Sequence, residues 1–496
     1  MLPTPKTGLK PNTLDFEMEP LVKPTGFREY DARWIFEEEI NRLGIQALGA
    51  GLGTLIHELG KRPEIVVGHD FRSYSSSIKQ ALIVGLMGAG VRVHDIGLAL
   101  SPVAYFAQFA LDVPCVAMVT ASHNENGWTG VKMGVEPPLT FGPEEMGRLR
   151  DIVLGGESKA REGGGYVYVA DMRERYIADV ADTVSLERKL KVIAACGNGT
   201  AGAYAPEALA RMGVEVVPMD AELDYTFPKY NPNPEDMEML HAMQAAVREH
   251  GADVALGFDG DGDRCGVVDD EGEEIFADKI GVMLARDLSA QIEDATFVVD
   301  VKSTGLFKTD PVLTAQGATT VYWKTGHSYI KRKTTELDAV AGFEKSGHFF
   351  FRAPYGRGYD DGLVAAAAIL KMLDRNPGKS MADLRRALPT TYQSPTMSPH
   401  CPDEEKYGVV DEIVADLSAR TEMIGQKVAD VNTVNGVRVT VEDGTWGLIR
   451  ASSNKPELVV VVESPTSEAA RNEMFAALKA VLAGHPQVGA FNQELG

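Results

Sequence analysis

Between residues 65 and 323, short runs of β-branched and aliphatic residues alternate with stretches of helical spacing. Most of these runs end in a loop rich in Gly, Ser, Asp and Asn. Strands are expected at 65–68, 91–95, 116–119, 190–195, 214–217, 253–258, 296–301 and 320–323, with helices over 76–90 and 203–212 among them. A parallel strand can be reached only through a crossover, so this alternation builds α/β units on mostly parallel sheets. In such sheets ligands bind beyond the carboxyl ends of the strands. The loops HDFRSYSS, TASHNENGWTG, CGNGTAG, DGDGDRCG and KSTG all follow expected strands and occupy that position.

The last hundred residues read differently. Runs at 436–441, 447–450 and 458–463 are separated by short turns, and a helix with apolar residues at three-to-four spacing follows over 467–483. That pattern predicts a small α+β domain with antiparallel hairpins. The stretch 389–402, PTTYQSPTMSPHCP, is proline-rich and reads as a linker, and the loop 228–235, PKYNPNPE, as rigid and exposed. Residues 1–24 read as a leading arm. The chain of 496 residues thus divides into three α/β domains at 1–167, 168–272 and 273–388 and a terminal α+β domain at 389–496.

Charge narrows the partners. Lys and Arg total 49 against 71 Asp and Glu, a formal charge of −22. So acidic a surface repels phosphate backbones and anionic membranes, so neither nucleic acid nor a membrane is expected as a main partner. A small anionic ligand remains possible wherever cations gather locally. The most apolar run, 81–91, is too short to span a bilayer, and the N-terminal segment lacks an apolar export core. Cys115, Cys196, Cys265 and Cys401 have neither zinc-ribbon nor redox spacing and read as the reduced thiols of a cytoplasmic protein.

The strongest local signal is GFDGDGDRCG. Asp259, Asp261 and Asp263 alternate with glycine, a pattern that lets a tight loop turn three hard oxygen ligands toward one divalent cation. Without a cation three carboxylates this close repel. A solvated acidic turn is the plain alternative. An EF-hand would need glycine and glutamate where Arg264 and Asp270 stand, and a helix where a strand is expected. Three protein carboxylates suit Mg²⁺ with a phosphate oxygen completing its shell.

Ser122 stands in TASHNENG just after a strand. Thr120 and Asn124 replace the glycines of a hydrolase nucleophile elbow, so a phosphorylatable serine is the better functional idea. Lys132, ten residues on, could neutralise that phosphate. Cations also recur in loops: Arg28 and Arg33 in GFREYDARW, Lys302 just after the strand expected at 296–301, Lys324 and His327 in WKTGHSYIKRK, Lys345 and His348 in GFEKSGHFFF, and Arg450 and Lys455 in IRASSNKPE. Arg450, Ser452, Ser453 and Asn454 make a fork of donors suited to phosphate. Glu344 and Ser346 are suited to sugar hydroxyls.

At these residues the sequence resembles the α-D-phosphohexomutase family, most closely its phosphomannomutase/phosphoglucomutase branch. TASHNENG resembles the family's phosphoserine loop, GFDGDGDR its metal loop, GFEKSGH its sugar loop and RASSNKPE its phosphate loop, in that order over residues 26–464. FREYDAR, DVKST, WKTGH and NPNPE match further recurrent stretches. The resemblance implies three related α/β domains with mixed, mostly parallel sheets and a C-terminal α+β domain around a central cleft. It implies that Ser122 is phosphorylated and binds Mg²⁺ through its phosphate with Asp259, Asp261 and Asp263. It implies that Arg264 lies beside them and that Tyr30, Arg33, His123 and Lys132 surround the phosphoserine. By the same resemblance Lys302, His327 and His348 would line the cleft, Glu344 and Ser346 would read the sugar, and Arg450, Ser452, Ser453 and Asn454 would hold the phosphate that is not transferred. Glu125, Trp34, Lys345 and the pair Ser453–Asn454 depart from the usual pattern.

The resemblance implies a cytoplasmic monomer or dimer that interconverts hexose 6-phosphate and hexose 1-phosphate, of mannose or glucose, through a hexose 1,6-bisphosphate that is both intermediate and activator. Lys132, Arg33 and His327 are the candidates for the base that takes the hydroxyl proton. A phosphoglucosamine mutase, a Mg²⁺-dependent sugar-phosphate phosphatase and a non-catalytic sugar-phosphate binder are the alternatives.

Overall fold

The computed structural model describes residues 18–182, 184–493 and 495; residues 1–17 of the expected leading arm lie outside that set. The chain forms two compact units. One holds the residues up to Ala277 together with Ser346–Ala382, and the other holds Asp278–Lys345 and the chain from Asp383 onward.

Two sheets build the first unit. In one, Asp31–Ile35, Trp128–Gly134, Cys115–Val119, Glu64–His69, Arg92–Leu98 and Gly165–Tyr168 lie side by side in that order. The last four are mutually parallel, and Trp128–Gly134 and Asp31–Ile35 add antiparallel at the edge. The order of the other is Glu274–Ile275, Cys265–Asp269, Val254–Phe258, Lys191–Ala195 and Glu215–Met219, with a parallel core of three. Helices Arg42–Glu58 and Ser75–Gly88 cross on the first sheet at a distance only glycine permits: a Cβ on Gly85 would sit 2.0 Å from the Gln46 carbonyl oxygen. Ser346–Ala382 packs onto this unit through Tyr176, which donates to Asp361 at 2.9 Å, and Arg188, which donates to the Leu373 carbonyl at 2.6 Å. Asp361 also caps helix Gly362–Asp374.

In the second unit Thr319–Trp323, Thr296–Asp300 and Ala341–Phe343 are parallel neighbours. A six-stranded antiparallel sheet follows, in the order Tyr392–Gln393, Leu458–Ser464, Trp446–Ala451, Val437–Val441, Gln426–Asn432 and Glu422–Met423. Ile413, Leu417, Met474 and Leu478 of its two helices bury against Val437, Val439, Ile449 and Val460. The α/β parts with mixed, mostly parallel sheets and the terminal antiparallel domain are those expected from the sequence.

Three local expectations change. The proline-rich stretch 389–402 is not a free linker: Tyr392–Gln393 pairs with Leu458–Ser464, and Met397 and Cys401 are buried in the terminal core. Prolines are compatible with this because an edge strand needs ladder donors on one side only. The loop 228–235 is not fully exposed, since Tyr230, Pro232 and Pro234 are buried. Strand Gln426–Asn432 escaped detection because its sequence, QKVADVN, is mostly solvated and carries no sustained apolar alternation.

Buried charge joins the parallel strands of the second unit to its terminal sheet. The Arg438 guanidinium lies 3.6 Å from the Trp446 ring centroid and donates to the carbonyls of Val301 and Ser303 at 2.9 and 2.8 Å. Glu463 accepts from Thr304 Oγ1, the Gly305 amide, Trp446 Nε1, Lys279 Nζ and Thr391 Oγ1. Burial opposes its ionisation, but Lys279 and these donors prevail and bring its pKa from 4.5 to about 2. A depressed carboxyl pKa stabilises the fold above the unfolded value, and the gain is lost as pH falls through the folded one. Glu463→Gln is therefore expected to cost about 3 kcal/mol at pH 7, since a pKa unit is worth about 1.4 kcal/mol. Urea unfolding of both proteins should show that gap closing as pH falls from about 4.5 toward 2.

Candidate active site

Strand ends place the candidate site residues of the first unit. Val254–Phe258 runs straight into the aspartate loop, and Cys115–Val119 into the Ser122 loop. A strand rather than a helix precedes the aspartates, so the loop is not an EF-hand. Nor is it a solvated turn: Asp259, Asp261 and Asp263 are all 0% exposed. Each offers an oxygen within 4.8 Å of those of the other two, and Asp261 Oδ1 is buried without a hydrogen-bond partner among the described residues. A hard divalent cation fits this all-oxygen set.

Ser122 reaches the same place from 137 residues away in sequence, with its Oγ 3.1 Å from Asp259 Oδ2. Its own φ is +53°, a left-handed conformation that costs a non-glycine residue about 1–2 kcal/mol. His123 Nδ1 lies 3.3 Å from the same Oγ. The aspartate loop presses on this serine closely: a Cβ on Gly260 would stand 2.5 Å from the Ser122 carbonyl oxygen.

Cross-strand register brings the cations. Asp31 faces Lys132 and Arg33 faces Gly130 on the adjoining strand, so Asp31, Arg33 and Lys132 share one face. Lys132 Nζ is 2.7 Å from Asp261 Oδ2 and also pairs with Asp263. Burial favours the neutral amine of this lysine, but the carboxylates of Asp261 and Asp263 outweigh it and raise its pKa well above the ordinary range. Arg33 pairs with Asp31 at 2.9 Å and points Nη1 toward Asn124 Oδ1 at 3.4 Å. Tyr30, 3% exposed, adjoins Arg33.

The three carboxyls are not equivalent. Burial and the charges of Asp261 and Asp263 push Asp259 well above the usual range. Burial also penalises Asp263, but Lys132 and His348 overcome it and hold that group well below. For Asp261, Lys132 and the Ser101 hydroxyl overcome burial and Asp263 to lower it. Arg264 bounds the cage: its amide donates to Asp259 Oδ1 at 3.2 Å and its Nε faces His348 Nε2 at 3.4 Å. His348 Nδ1 is 3.0 Å from Ser346 Oγ.

The expected sugar loop is shared out between the units, with Ser346 and His348 in the first and Glu344 in the second. In the second unit Glu344 Oε1 accepts from the Gly326 amide at 2.7 Å, next to His327 at the start of helix His327–Glu336. Lys302 Nζ is 3.9 Å from Asp300 Oδ2, and the Lys345 amide donates to Asp300 Oδ1 at 3.2 Å. Between strands Trp446–Ala451 and Leu458–Ser464, Ser452 Oγ accepts from the amides of Asn454 and Lys455 at 3.4 and 3.3 Å. Ser453 is buried beside it, and Arg450 keeps a buried Nε without a hydrogen-bond partner among the described residues.

Two contributors escaped the sequence reading. Ser101 donates to Asp261 Oδ2 at 2.5 Å, and its only sequence signal is its place at a helix start before proline. Asp360 joins Asp263 and His348 in a second buried group within ligand distance, and nothing in GYDDG distinguished it.

Buried cations, an acidic cage and a serine hydroxyl gather at the strand ends of α/β sheets, the groups that phosphate chemistry draws on. The chain belongs to the phosphoglucomutase/phosphomannomutase family, whose alpha/beta/alpha domains I, II and III match residues 24–160, 168–272 and 276–392 and whose C-terminal domain matches 400–480. It is a phosphohexomutase, an intramolecular phosphotransferase. It is 33% identical to a phosphomannomutase/phosphoglucomutase of Pseudomonas syringae pv. tomato over 448 residues, 90% of this chain and 93% of that protein. It is 30% identical to a phosphoglucomutase of Neisseria meningitidis over 93% of this chain and 97% of that one. A crystal structure of a phosphoglucomutase/phosphomannomutase family protein from Burkholderia thailandensis superposes with a TM-score of 0.84 at 28% identity, covering 95% of this chain and 99% of that one.

Because Gly260 leaves room for the Ser122 carbonyl, Gly260→Ala is expected to drive the two loops apart while the sheets stay intact. A displacement near 1 Å costs on the order of 10²-fold in rate. Steady-state assays with a thermal melt should show that loss without a matching loss of fold.

Proposed function

We propose that this phosphohexomutase interconverts the 6- and 1-phosphates of mannose or glucose through a phosphorylated Ser122 and a hexose 1,6-bisphosphate. The single observation that carries this reading is the meeting of Ser122 Oγ with Asp259, 3.1 Å apart in a buried acidic cage. A metal-binding protein without phosphoryl transfer has no use for a hydroxyl held in a strained conformation at that point.

In the forward half-reaction the phosphoryl group leaves Ser122 Oγ and bonds to the free hydroxyl oxygen of a hexose monophosphate, which gives up its proton. In the second half the bisphosphate, turned end for end, returns its other phosphoryl group to Ser122. Positioning and charge do most of the work in such transfers. Asp259, Asp261, Asp263 and the Ser122 phosphate would hold Mg²⁺, which when bound would supply positive charge against the transferring group. Arg33, Arg264, Lys132 and His123 surround that group with donors. Of the three candidate bases, Arg33 and Lys132 are kept charged by their carboxylate neighbours, so His327 is the one suited to take a proton. Lys302 and His348 assist binding, Glu344 and Ser346 read the sugar hydroxyls, and Arg450, Ser452, Ser453 and Asn454 hold the phosphate that stays. The protein works in the cytoplasm on small sugar phosphates, in keeping with four buried, unpaired cysteines and no helix among the described residues long and apolar enough to cross a membrane.

Peptide mapping of the purified protein should find phosphate on Ser122, and Ser122→Ala should lose at least about 10³-fold in rate, the scale expected when a covalent step is removed. With glucose 1-phosphate the wild type should yield the 6-phosphate isomer; free phosphate as the main product would favour a phosphatase. Chelation should abolish turnover and added Mg²⁺ restore it, with isothermal titration reporting a Mg²⁺ site that Asp261→Asn removes.

A further inference from the structure

The loop after strand Glu64–His69 buries two charged side chains, Asp70 and Arg72. Asp70 and Arg72 form an ion pair whose side chains are each 1% exposed. Arg72 Nη2 donates to the carbonyl oxygens of Ser122 and Asn124 at 2.9 and 2.6 Å. Asp70 Oδ2 accepts from the Thr120 hydroxyl at 2.9 Å and the Ala121 amide at 3.3 Å, while its Oδ1 accepts from Ser75 Oγ at 2.5 Å. With its hydroxyl hydrogen directed at Asp70, the Thr120 oxygen presents a lone pair to the Ser122 amide and accepts from it at 2.8 Å. One ion pair therefore holds both sides of the Ser122 peptide, the carbonyl directly and the amide through Thr120.

A left-handed non-glycine residue persists only where its surroundings over-determine it. We propose that Asp70, Arg72 and Thr120 are positioning residues for phosphoryl transfer. They keep Ser122 at its positive φ so that Oγ points into the aspartate cage, and they act through the backbone without touching substrate. Arginine is required at 72 because its planar fork spans a carboxylate and two carbonyls at once, which an ammonium point charge cannot reproduce. The inference rests on Ser122 being the residue that transfers phosphate.

The decisive variants are Thr120→Val, which keeps shape and removes the relay, Thr120→Ser, which keeps the relay, and Arg72→Lys. Thr120→Val and Arg72→Lys are expected to lower kcat roughly 10²-fold, with KM for the hexose phosphate changed less than about twofold because ground-state binding is untouched. Thr120→Ser should restore near-normal kcat. A merely structural role would not produce this split or this rescue. Both variants retaining kcat within twofold, or losing KM alone, overturns the proposal. Should Arg72→Lys fail to fold, Thr120→Val decides, because it leaves the ion pair whole. A measurement on the wild type needs no variant: the Ser122 amide should exchange slowly with deuterium, and exchange as fast as in an open loop overturns the clamp. The two layers separate cleanly. Activity surviving in Ser122→Ala sinks the phosphoserine reading, whereas an inactive Ser122→Ala beside a fully active Thr120→Val sinks only the positioning role.

Discussion

Everything at the centre of this molecule depends on compensating three carboxylates removed from water. Asp259, Asp261 and Asp263 lie within one turn of chain and have no exposed surface. Burying even one unpaired carboxylate is prohibitive, and three together repel. Lys132 meets two of them, Arg264 stands over the third, and the Ser101 hydroxyl shares the load on Asp261. Each partner comes from a different part of the chain. The acidic cage thus obliges the two sheets of the first unit to dock on one another at their strand ends.

The same demand accounts for the distribution of charge. A chain at −22 nevertheless buries cations: Arg33, Arg264 and Lys132 in the first unit, Lys302 and Arg450 in the second. Away from them the acidic surface stays solvated and repels other polyanions.

Legibility in the sequence tracked how local each device is. The strand–loop junctions at Val119 and Phe258 were readable because a β-branched run followed by a polar glycine-bearing loop is a nearest-neighbour pattern, and the observed strands end within a residue or two of where it placed them. The aspartate loop was readable because the alternation with glycine is itself the geometry. The edge strand Tyr392–Gln393 and the solvated strand Gln426–Asn432 were not, since pairing with a remote partner rather than side-chain periodicity makes them strands. Ser101 was missed for a related reason: a serine at a helix start looks the same whether it caps the helix or orients a ligand.

The order of loops, the acidic triad and the reactive serine were determined by the sequence alone, because each is written in residues a few positions apart. Only the tertiary structure decided that Ser122 meets Asp259, that Lys132 answers Asp261 and Asp263, and that Asp70 with Arg72 grips the serine's backbone. Those are contacts between segments tens to more than a hundred residues apart, and no local propensity carries them. They exist because sheet register and helix packing leave the chain no other way to bury these charges with partners.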